Sequence, residues 1–118
     1  MAPEPSYSRG DVVLVLFPHT NLRTARPRPA LVIQANNLQT GLPQVIVAMI
    51  TSRMFRANHP SRVTVLRSTP ASQQSGLLAG SVVMTDNLAT IAEAAVDRVI
   101  GKLSMADIDA ALRYTLGL

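Results

Sequence analysis

The first half of the chain consists of short apolar runs separated by polar stretches that contain proline, glycine or asparagine. Residues 11–17 (DVVLVLF) and 44–52 (QVIVAMITS) are continuously apolar and rich in β-branched side chains, so each predicts a strand buried on both faces. Residues 28–34 (RPALVIQ) predict a strand between them, in which Pro29 is tolerable only near the start or at a sheet edge.

The second half predicts further strands before a helix. Residues 61–66 alternate between apolar and polar positions, and residues 80–86 (GSVVMTD) form another apolar run, which predicts two more strands. Residues 88–91 could extend the sheet, residues 67–75 are turn-like, and residues 96–103 are ambiguous.

The clearest helix is predicted over residues 104–116. Ser104 can cap its start, and Asp107 stands three residues later, where a capping box places its acid. Gly117 is expected to end the helix. Four apolar residues fall on one face, which would pack against the sheet: Met105, Ile108, Leu112 and Leu116.

Five or six short strands followed by a helix predict a mainly β fold, either a strongly bent antiparallel sheet or a partly open barrel. A chain of 118 residues makes one domain. Residues 1–9 contain two prolines and predict a flexible N-terminal arm, which leaves residues 10–118 as the domain. Strands that are apolar on both faces must be buried on both faces, and a homodimer interface could bury the second face.

Positive charge is concentrated in the middle of the chain. No acidic residue lies between Asp11 and Asp86, and ten of the eleven basic residues are arginine, whose planar fork suits bidentate phosphate binding. This distribution favours a polyanionic partner over a basic surface made for solubility. Seven arginines lie in the acid-free window: Arg23, Arg26, Arg28, Arg53, Arg56, Arg62 and Arg67.

The composition argues against several other classes of site and location. With no cysteine, the chain has no disulfide, zinc–thiolate site or cysteine nucleophile. Two distant histidines and scattered acids offer no cluster of metal ligands, so no metal or other cofactor is expected. The N-terminus lacks an apolar signal core and the apolar runs are too short to span a bilayer, which predicts a cytoplasmic protein without membrane association.

Five motifs in a consistent order resemble the MazF/PemK family of toxin endoribonucleases of type II toxin–antitoxin systems. They are residues 10–13 (GDVV), 28–33 (RPALVI), 45–52 (VIVAMITS), 80–87 (GSVVMTDN) and 100–104 (IGKLS). The similarity runs from about residue 10 to the C-terminus, and each motif alone would be weak.

The resemblance implies an SH3-like, partly open antiparallel barrel of the CcdB/MazF type and a homodimer. It further implies metal-independent, sequence-specific cleavage of single-stranded RNA such as mRNA, leaving a 2′,3′-cyclic phosphate and a 5′-hydroxyl. The implied partner is a cognate antitoxin whose acidic, flexible tail blocks the RNA groove.

Three residues match catalytic positions of the family. Arg28 stands at the position of the catalytic arginine, and its fork could hold two non-bridging phosphate oxygens as negative charge grows. Thr51 matches a threonine or serine at the end of the third strand and could orient the phosphate or the 2′-hydroxyl. Asp86 matches a recurrent aspartate that could accept a proton or fix Arg28, although it could also simply cap a turn.

The loop after the third strand borders the RNA groove in the family. Arg53, Arg56 and Arg62 surround this loop, and Ser52 could assist or replace the neighbouring threonine. Phe55 lies between two arginines and is expected to be exposed, where it could stack a base.

The first loop supplies two further RNA-binding candidates and two departures from the family. His19 lies in the loop that carries a functional histidine in some relatives without aligning cleanly with it, and Arg26 stands at the entrance to the second strand. The acid that some relatives carry in this loop is replaced by Thr24, Ala25 and Arg26. Met84 stands where some relatives place an arginine.

Two alternatives remain open at this level. A gyrase inhibitor of the CcdB type shares the barrel and acts through its C-terminal helix, so Arg28 and Thr51 would be unnecessary. A catalytically inactive relative would bind RNA or an antitoxin without cutting, which the departures at Met84 and in the first loop permit.

Overall fold

The computed structural model describes residues 7–16 and 27–118, in which six strands and two α-helices form. Their bounds are β1 Asp11–Leu16, β2 Pro27–Val32, β3 Gln44–Thr51, β4 Arg62–Val65, α1 Pro70–Ser75, β5 Ser81–Ala92, β6 Val96–Lys102 and α2 Ala106–Leu116. Two single 3-10 turns, Met54–Arg56 and Glu93–Ala95, lie in the connections. Within the described ranges, no helix combines the length and the apolar content that a membrane crossing requires.

The strands form one sheet in the order β4-β5-β3-β2-β1-β6, and every pairing is antiparallel. The sheet is open, with β4 and β6 at its edges. β5 bends in its middle, because Met84 pairs with Met49 whereas Leu88 pairs with Ala48, and residues 85–87 have no partner on β3. The predicted mainly β fold with a C-terminal helix, built on an open antiparallel sheet, is confirmed.

Both faces of the central strands are buried within a single chain. Successive residues of a strand face opposite sides, and Val12 and Val13 accordingly enter two separate apolar cores. The core against α2 contains Val12, Leu31, Ala48, Ile50, Val65, Val83, Leu103, Ile108 and Leu112. The opposite core contains Val13, Val15, Ala30, Val32, Val45 and Val47.

The second core changes the argument for a homodimer. Its six side chains are at most 2% exposed in the single chain. They are covered by residues of the bent β5, of β6 and of the N-terminal segment, including Ile91, Val96 and Tyr7. The single chain therefore buries this face without the second copy that could have covered it, and a homodimer stays a prediction that rests on the family resemblance.

Two segments differ from the sequence-based expectation. The turn-like segment contains α1, in which Thr69 Oγ1 accepts the N–H of Ser72 and Pro70 occupies the first turn. The ambiguous segment is the edge strand β6, which pairs with β1.

The C-terminal helix begins later than predicted. Met105 rather than Ser104 is the N-cap residue of α2, and no side chain caps its N–H groups. Ile108 and Leu112 are buried as expected, whereas Leu116 is 54% exposed. Gly117 ends the helix in the left-handed conformation, with a φ of 71°.

The described end of the predicted N-terminal arm is attached to the domain. Arg9 forms an ion pair with Asp109 and donates from Nε to the carbonyl of Ile33 at 3.0 Å. Tyr7 Oη donates to Glu93 at 3.0 Å, and burial together with this bond raises the pKa of Tyr7 to about 12. The boundary at residue 10 stays a prediction.

Helix α1 lies against β6 so closely that there is no room for a side chain at the contact. A Cβ added to Gly101 on β6 would overlap the carbonyl oxygen of Gln74 and the carbonyl of Ser75. This contact fixes one wall of the groove described below, because the residues that follow α1 line it.

We expect Gly101→Ala to lower the free energy of unfolding by about 1–3 kcal/mol, because the added methyl group overpacks a backbone contact. Urea unfolding measures the change. Gly80→Ala is the matched control, since its Cβ would meet nothing closer than Met54 Sδ at 3.5 Å. Equal effects of the two substitutions would contradict the proposed tight contact.

Candidate functional site

A groove forms where β2 and β3 part. Ala30 is the first residue of β2 that pairs with β3, and its partner is Met49. Before this point β2 stays paired with β1 back to Pro27, and beyond it β3 stays paired with β5 as far as Thr51. If the ladder continued in the same register, Arg28 would lie opposite Thr51. The two residues therefore flank the opening between the strands.

Two prolines explain why the ladder stops here. Pro27 and Pro29 have no N–H group to donate, and the unpaired side of β2 is where a strand tolerates proline. A residue followed by proline is also restricted to extended conformations, so Pro29 keeps Arg28 in line with the strand. The prediction that Pro29 lies near the start of the strand is confirmed.

The groove has a volume of about 830 Å³ and a strongly one-sided charge. Apolar residues such as Leu14, Met49 and Ile100 line it, together with hydroxyl and amide groups. Four arginines line it as well, whereas no aspartate or glutamate of the described residues does: the arginines are Arg28, Arg53, Arg56 and Arg98.

These four arginines have no carboxylate partner in the described part of the chain. The described residues form two ion pairs within 4.0 Å, Arg9 with Asp109 and Arg62 with Asp86, and neither includes an arginine of the groove. Arg28 is exposed at the start of β2. Guanidinium groups free of carboxylates and set around a groove can bind the phosphate oxygens of a polyanion.

Thr51, which carries a hydroxyl group, lines the same groove. Its Oγ1 accepts the backbone N–H of Arg53 at 3.2 Å, which fixes the oxygen. A hydroxyl can donate as well as accept, so the Thr51 hydrogen is left to point at an acceptor in the groove. Ser52, the next residue, is exposed and lines the groove too.

The 3-10 turn Met54–Arg56 carries a second set of candidates. Arg56 reaches across to β5, where its Nη1 lies 3.8 Å from Met84 Sδ. Its guanidinium carbon also lies 5.8 Å from the centre of the Phe55 ring, within cation–π range. Phe55 is 79% exposed, as expected, and lies in the chain between the groove arginines Arg53, which precedes the turn, and Arg56, which ends it.

Asp86 is paired with Arg62 rather than with Arg28. Arg62 Nη2 lies 2.8 Å from Asp86 Oδ2, and Nε lies 3.4 Å from Oδ1. The pairing follows from the register of β4 and β5, in which Arg62 is opposite Met84, two residues before Asp86. The possibility that Asp86 fixes Arg28 is thus replaced by a different ion pair.

The ion pair also changes what Asp86 can do. The hydrogen bonds from Arg62 hold the pKa of the Asp86 carboxyl below its ordinary value, which makes it a weaker proton acceptor. Arg62 Nη1 donates to the carbonyl of Arg56 at 3.1 Å, so the pair anchors the turn that bears Arg56. A catalytic role for Asp86 and RNA contact by Arg62 stay predictions.

The remaining predicted residues have different outcomes. His19 and Arg26 lie outside the described residues. Arg98 lines the groove but was missed, because the sequence left its segment unassigned. One sequence signal could have identified Arg98: it is a basic residue in an apolar segment that follows the fifth-strand motif and could form a further strand. In the described ranges, no three histidine, aspartate or glutamate side chains form a group that could hold a metal ion.

Comparisons with known proteins gave two kinds of match, to the sequence model of a family and to solved structures. The sequence model of the family described as "PemK-like, MazF-like toxin of type II toxin–antitoxin system" matches residues 8–116. No curated protein matches the chain.

Several solved structures share the fold. An endoribonuclease from a mycobacterial species, in complex with its cognate antitoxin, has a TM-score of 0.70 and 24% identity over 99% of this chain and 97% of that one. The Mycobacterium tuberculosis toxin MazF-mt6 has a TM-score of 0.65 and 26% identity over 91% of this chain and 92% of that one. A MazE–MazF structure from Deinococcus radiodurans has a TM-score of 0.70 and 19% identity over 95% of this chain and 96% of that one.

The ion pair between Arg62 and Asp86 predicts a pH-dependent contribution to stability. Because the folded-state pKa of Asp86 lies below its ordinary value of 3.8, the contribution is present above about pH 4 and is lost as the pH falls through the folded pKa. We expect the urea midpoint of the wild type to fall more steeply below about pH 4 than that of Asp86→Asn. Asp97→Asn, at an exposed acid without an ion pair in the described residues, is the control and should keep the wild-type slope. Parallel curves for wild type and Asp86→Asn would refute the prediction.

Proposed function

The chain belongs to the PemK-like, MazF-like toxin family of type II toxin–antitoxin systems, and from this membership we propose that it is a toxin that cuts single-stranded RNA. The single observation that carries the proposal is the groove, lined by no described carboxylate, in which Arg28 and Thr51 flank the parting of β2 and β3. Similar proteins of known structure are endoribonucleases, one of them in complex with its cognate antitoxin.

The proposed reaction uses the RNA's own ribose as nucleophile. The 2′-oxygen attacks the adjacent phosphorus as it loses its proton, and the bond from phosphorus to the 5′-oxygen breaks as that oxygen gains one. The products are a 2′,3′-cyclic phosphate and a 5′-hydroxyl. Atoms and charges balance without a metal ion or a cofactor.

Arg28 is proposed to stabilise the transition state of this reaction. Negative charge builds on the non-bridging phosphate oxygens as the phosphorus becomes five-coordinate, and a guanidinium fork can donate to two of them. Because no described carboxylate lies within ion-pairing distance, the guanidinium need not leave a partner before it binds the phosphate.

Thr51 is proposed to orient the reacting groups. With its oxygen fixed by the N–H of Arg53, its hydroxyl hydrogen can donate to a phosphate oxygen or hold the 2′-oxygen in line. Ser52 can provide a second hydroxyl at the same edge of the groove. Neither residue is needed as an acid or a base in this scheme.

The turn Met54–Arg56 is proposed to bind the RNA on either side of the cleaved bond. Arg53 and Arg56 would contact phosphates, and the exposed ring of Phe55 would stack a base. Asp86 and Arg62 would act on this turn through the carbonyl of Arg56. His19 and Arg26 are kept as RNA-binding candidates on the resemblance alone.

The same groove suits an antitoxin with an acidic, flexible segment. Four arginines without described carboxylate partners attract acidic side chains as well as phosphates. An antitoxin that occupies the groove would exclude RNA by competition. A homodimer and sequence-specific cleavage of mRNA complete the proposal and rest on family membership.

We expect Arg28→Ala to lower the cleavage rate by about 100-fold or more, because it removes a charge-assisted contact made as the transition state forms. The purified protein is incubated with a long single-stranded RNA in excess chelator, and the fragment ends are mapped. Arg113→Ala, at an exposed arginine of α2 outside the groove, is the charge-matched control and should cleave as the wild type does.

The same assay separates the alternatives. Discrete cuts with cyclic-phosphate ends that Arg28→Ala abolishes would support the nuclease. Intact RNA together with trapped gyrase–DNA complexes would indicate a CcdB-type inhibitor instead. RNA binding without fragments would indicate an inactive relative.

At Thr51 the hydroxyl rather than the size of the side chain should matter. Thr51→Val removes the hydroxyl and is expected to slow cleavage by about tenfold or more, the cost of one hydrogen bond to a charged group. Thr51→Ser keeps the hydroxyl and should retain most of the rate. Equal rates for the Val and Ser variants would show that the hydroxyl does not take part.

A further inference from the structure

We propose that Arg98, on the edge strand β6, binds a phosphate of the RNA next to the one that is cleaved. This inference rests on the proposed function for the identity of the ligand. It adds a strand-borne cation on the far side of β1 from Arg28, in a segment that none of the family motifs covers.

The sheet register puts Arg98 beside the catalytic groove. Leu14 on β1 pairs with Pro29 on one side and with Arg98 on the other, so the three residues form a row across three strands. Neighbouring strands are about 4.8 Å apart, which separates the backbone of Arg98 from that of Pro29 by about 10 Å. Arg98, Leu14 and Pro29 all line the same groove.

Arg98 is also free to bind an anion. It is exposed, and no carboxylate of the described residues lies within ion-pairing distance of its guanidinium. Asp97 precedes it in the chain, at the irregularity where the register between β1 and β6 shifts. Asp97 does not line the groove, whereas Arg98 does.

The separation of the two arginines indicates separate phosphates. Leu14 lies between Arg98 and Pro29, the residue that follows Arg28, and offers an apolar surface for the sugar or base that links two phosphates. Two guanidinium groups also repel each other, and this repulsion is relieved when each faces its own phosphate. Arg98 therefore positions the RNA so that the cleaved phosphate reaches Arg28, and Arg98 itself does not touch the reacting atoms.

The test separates binding from chemistry. Affinity is measured by fluorescence anisotropy with a short single-stranded RNA whose riboses are 2′-O-methylated, so that it cannot be cut. We expect Arg98→Ala to raise the Kd about tenfold. The slope of log K against log salt should become shallower by about 0.7, the value for one phosphate contact to a single strand. Cleavage of unmodified RNA should lose a similar factor in kcat/KM, chiefly through KM.

Three variants serve as comparisons. Arg113→Ala removes the same charge outside the groove and should leave the salt slope unchanged. Arg98→Lys keeps the charge but loses the fork, so it should keep the slope and recover part of the affinity. Arg98→Gln keeps most of the side-chain length, and its urea midpoint shows whether any loss of affinity comes from unfolding.

The outcomes either support or overturn the assignment. An unchanged Kd and slope in Arg98→Ala would overturn it, as would a fall in the rate at saturating protein equal to that of Arg28→Ala, which would place Arg98 at the cleaved phosphate. A changed sedimentation mass with normal RNA affinity would overturn it in favour of a contact between two copies of the chain. If the protein binds RNA through Arg98 but never cuts it, the proposed nuclease activity fails while this binding site stands.

Discussion

The groove depends on where the carboxylates of this protein are held. A guanidinium that faces an acid is neutralised, and removing it from that partner to bind a phosphate costs free energy. Here Asp109 is held by Arg9 and Asp86 by Arg62, both outside the groove. The groove, which is lined by other arginines, is thereby left with a net positive charge. The acid-free stretch between Asp11 and Asp86 allows this arrangement, because β2, β3 and the turn after β3 carry no acid that could fold back on them.

The parting of two strands turns this charge distribution into a site. A complete ladder between β2 and β3 would leave Arg28 and Thr51 as cross-strand neighbours on a closed surface. Because pairing begins only at Ala30 and Met49, the two ends separate and an anion can enter between them. Burial on both faces by a single chain keeps the strand ends in place, so the opening does not require a second copy to hold it. Arg28 and Thr51 therefore lie on strands rather than on loops, which fixes the position of one relative to the other.

The sequence predicted those parts of the fold that depend on local pattern. Continuous apolar runs located β1, β2 and β3 to within a few residues, and Gly117 marked the end of α2. Helix α1 was missed because six polar or small residues give no helical period, and its packing depends on a glycine that lies about 25 residues away in β6.

Local sequence pattern could not predict the ion-pair partner of Asp86 or the position of Arg98 in the groove. Each depends on a strand register, Arg62 opposite Met84 and Arg98 opposite Leu14. The register between β1 and β6 also shifts twice, so a regular alternation could not have shown which residues of β6 face the groove.

The groove arginines are held by two kinds of backbone, a strand and a 3-10 turn, which suit different roles. Arg28 belongs to a strand whose backbone is restricted by Pro29, so its guanidinium starts from a fixed point, as chemistry on a phosphate requires. Arg53 immediately precedes a single 3-10 turn and Arg56 ends it. This turn has few backbone hydrogen bonds of its own and is held through the carbonyl of Arg56 by the Asp86–Arg62 pair. Under the proposed function, a support of that kind would adjust to different bases while the cleaved phosphate stays in register with Arg28. The chemistry and the choice of RNA sequence would then be altered by different substitutions, strand residues changing the rate and turn residues changing which sequences are cut.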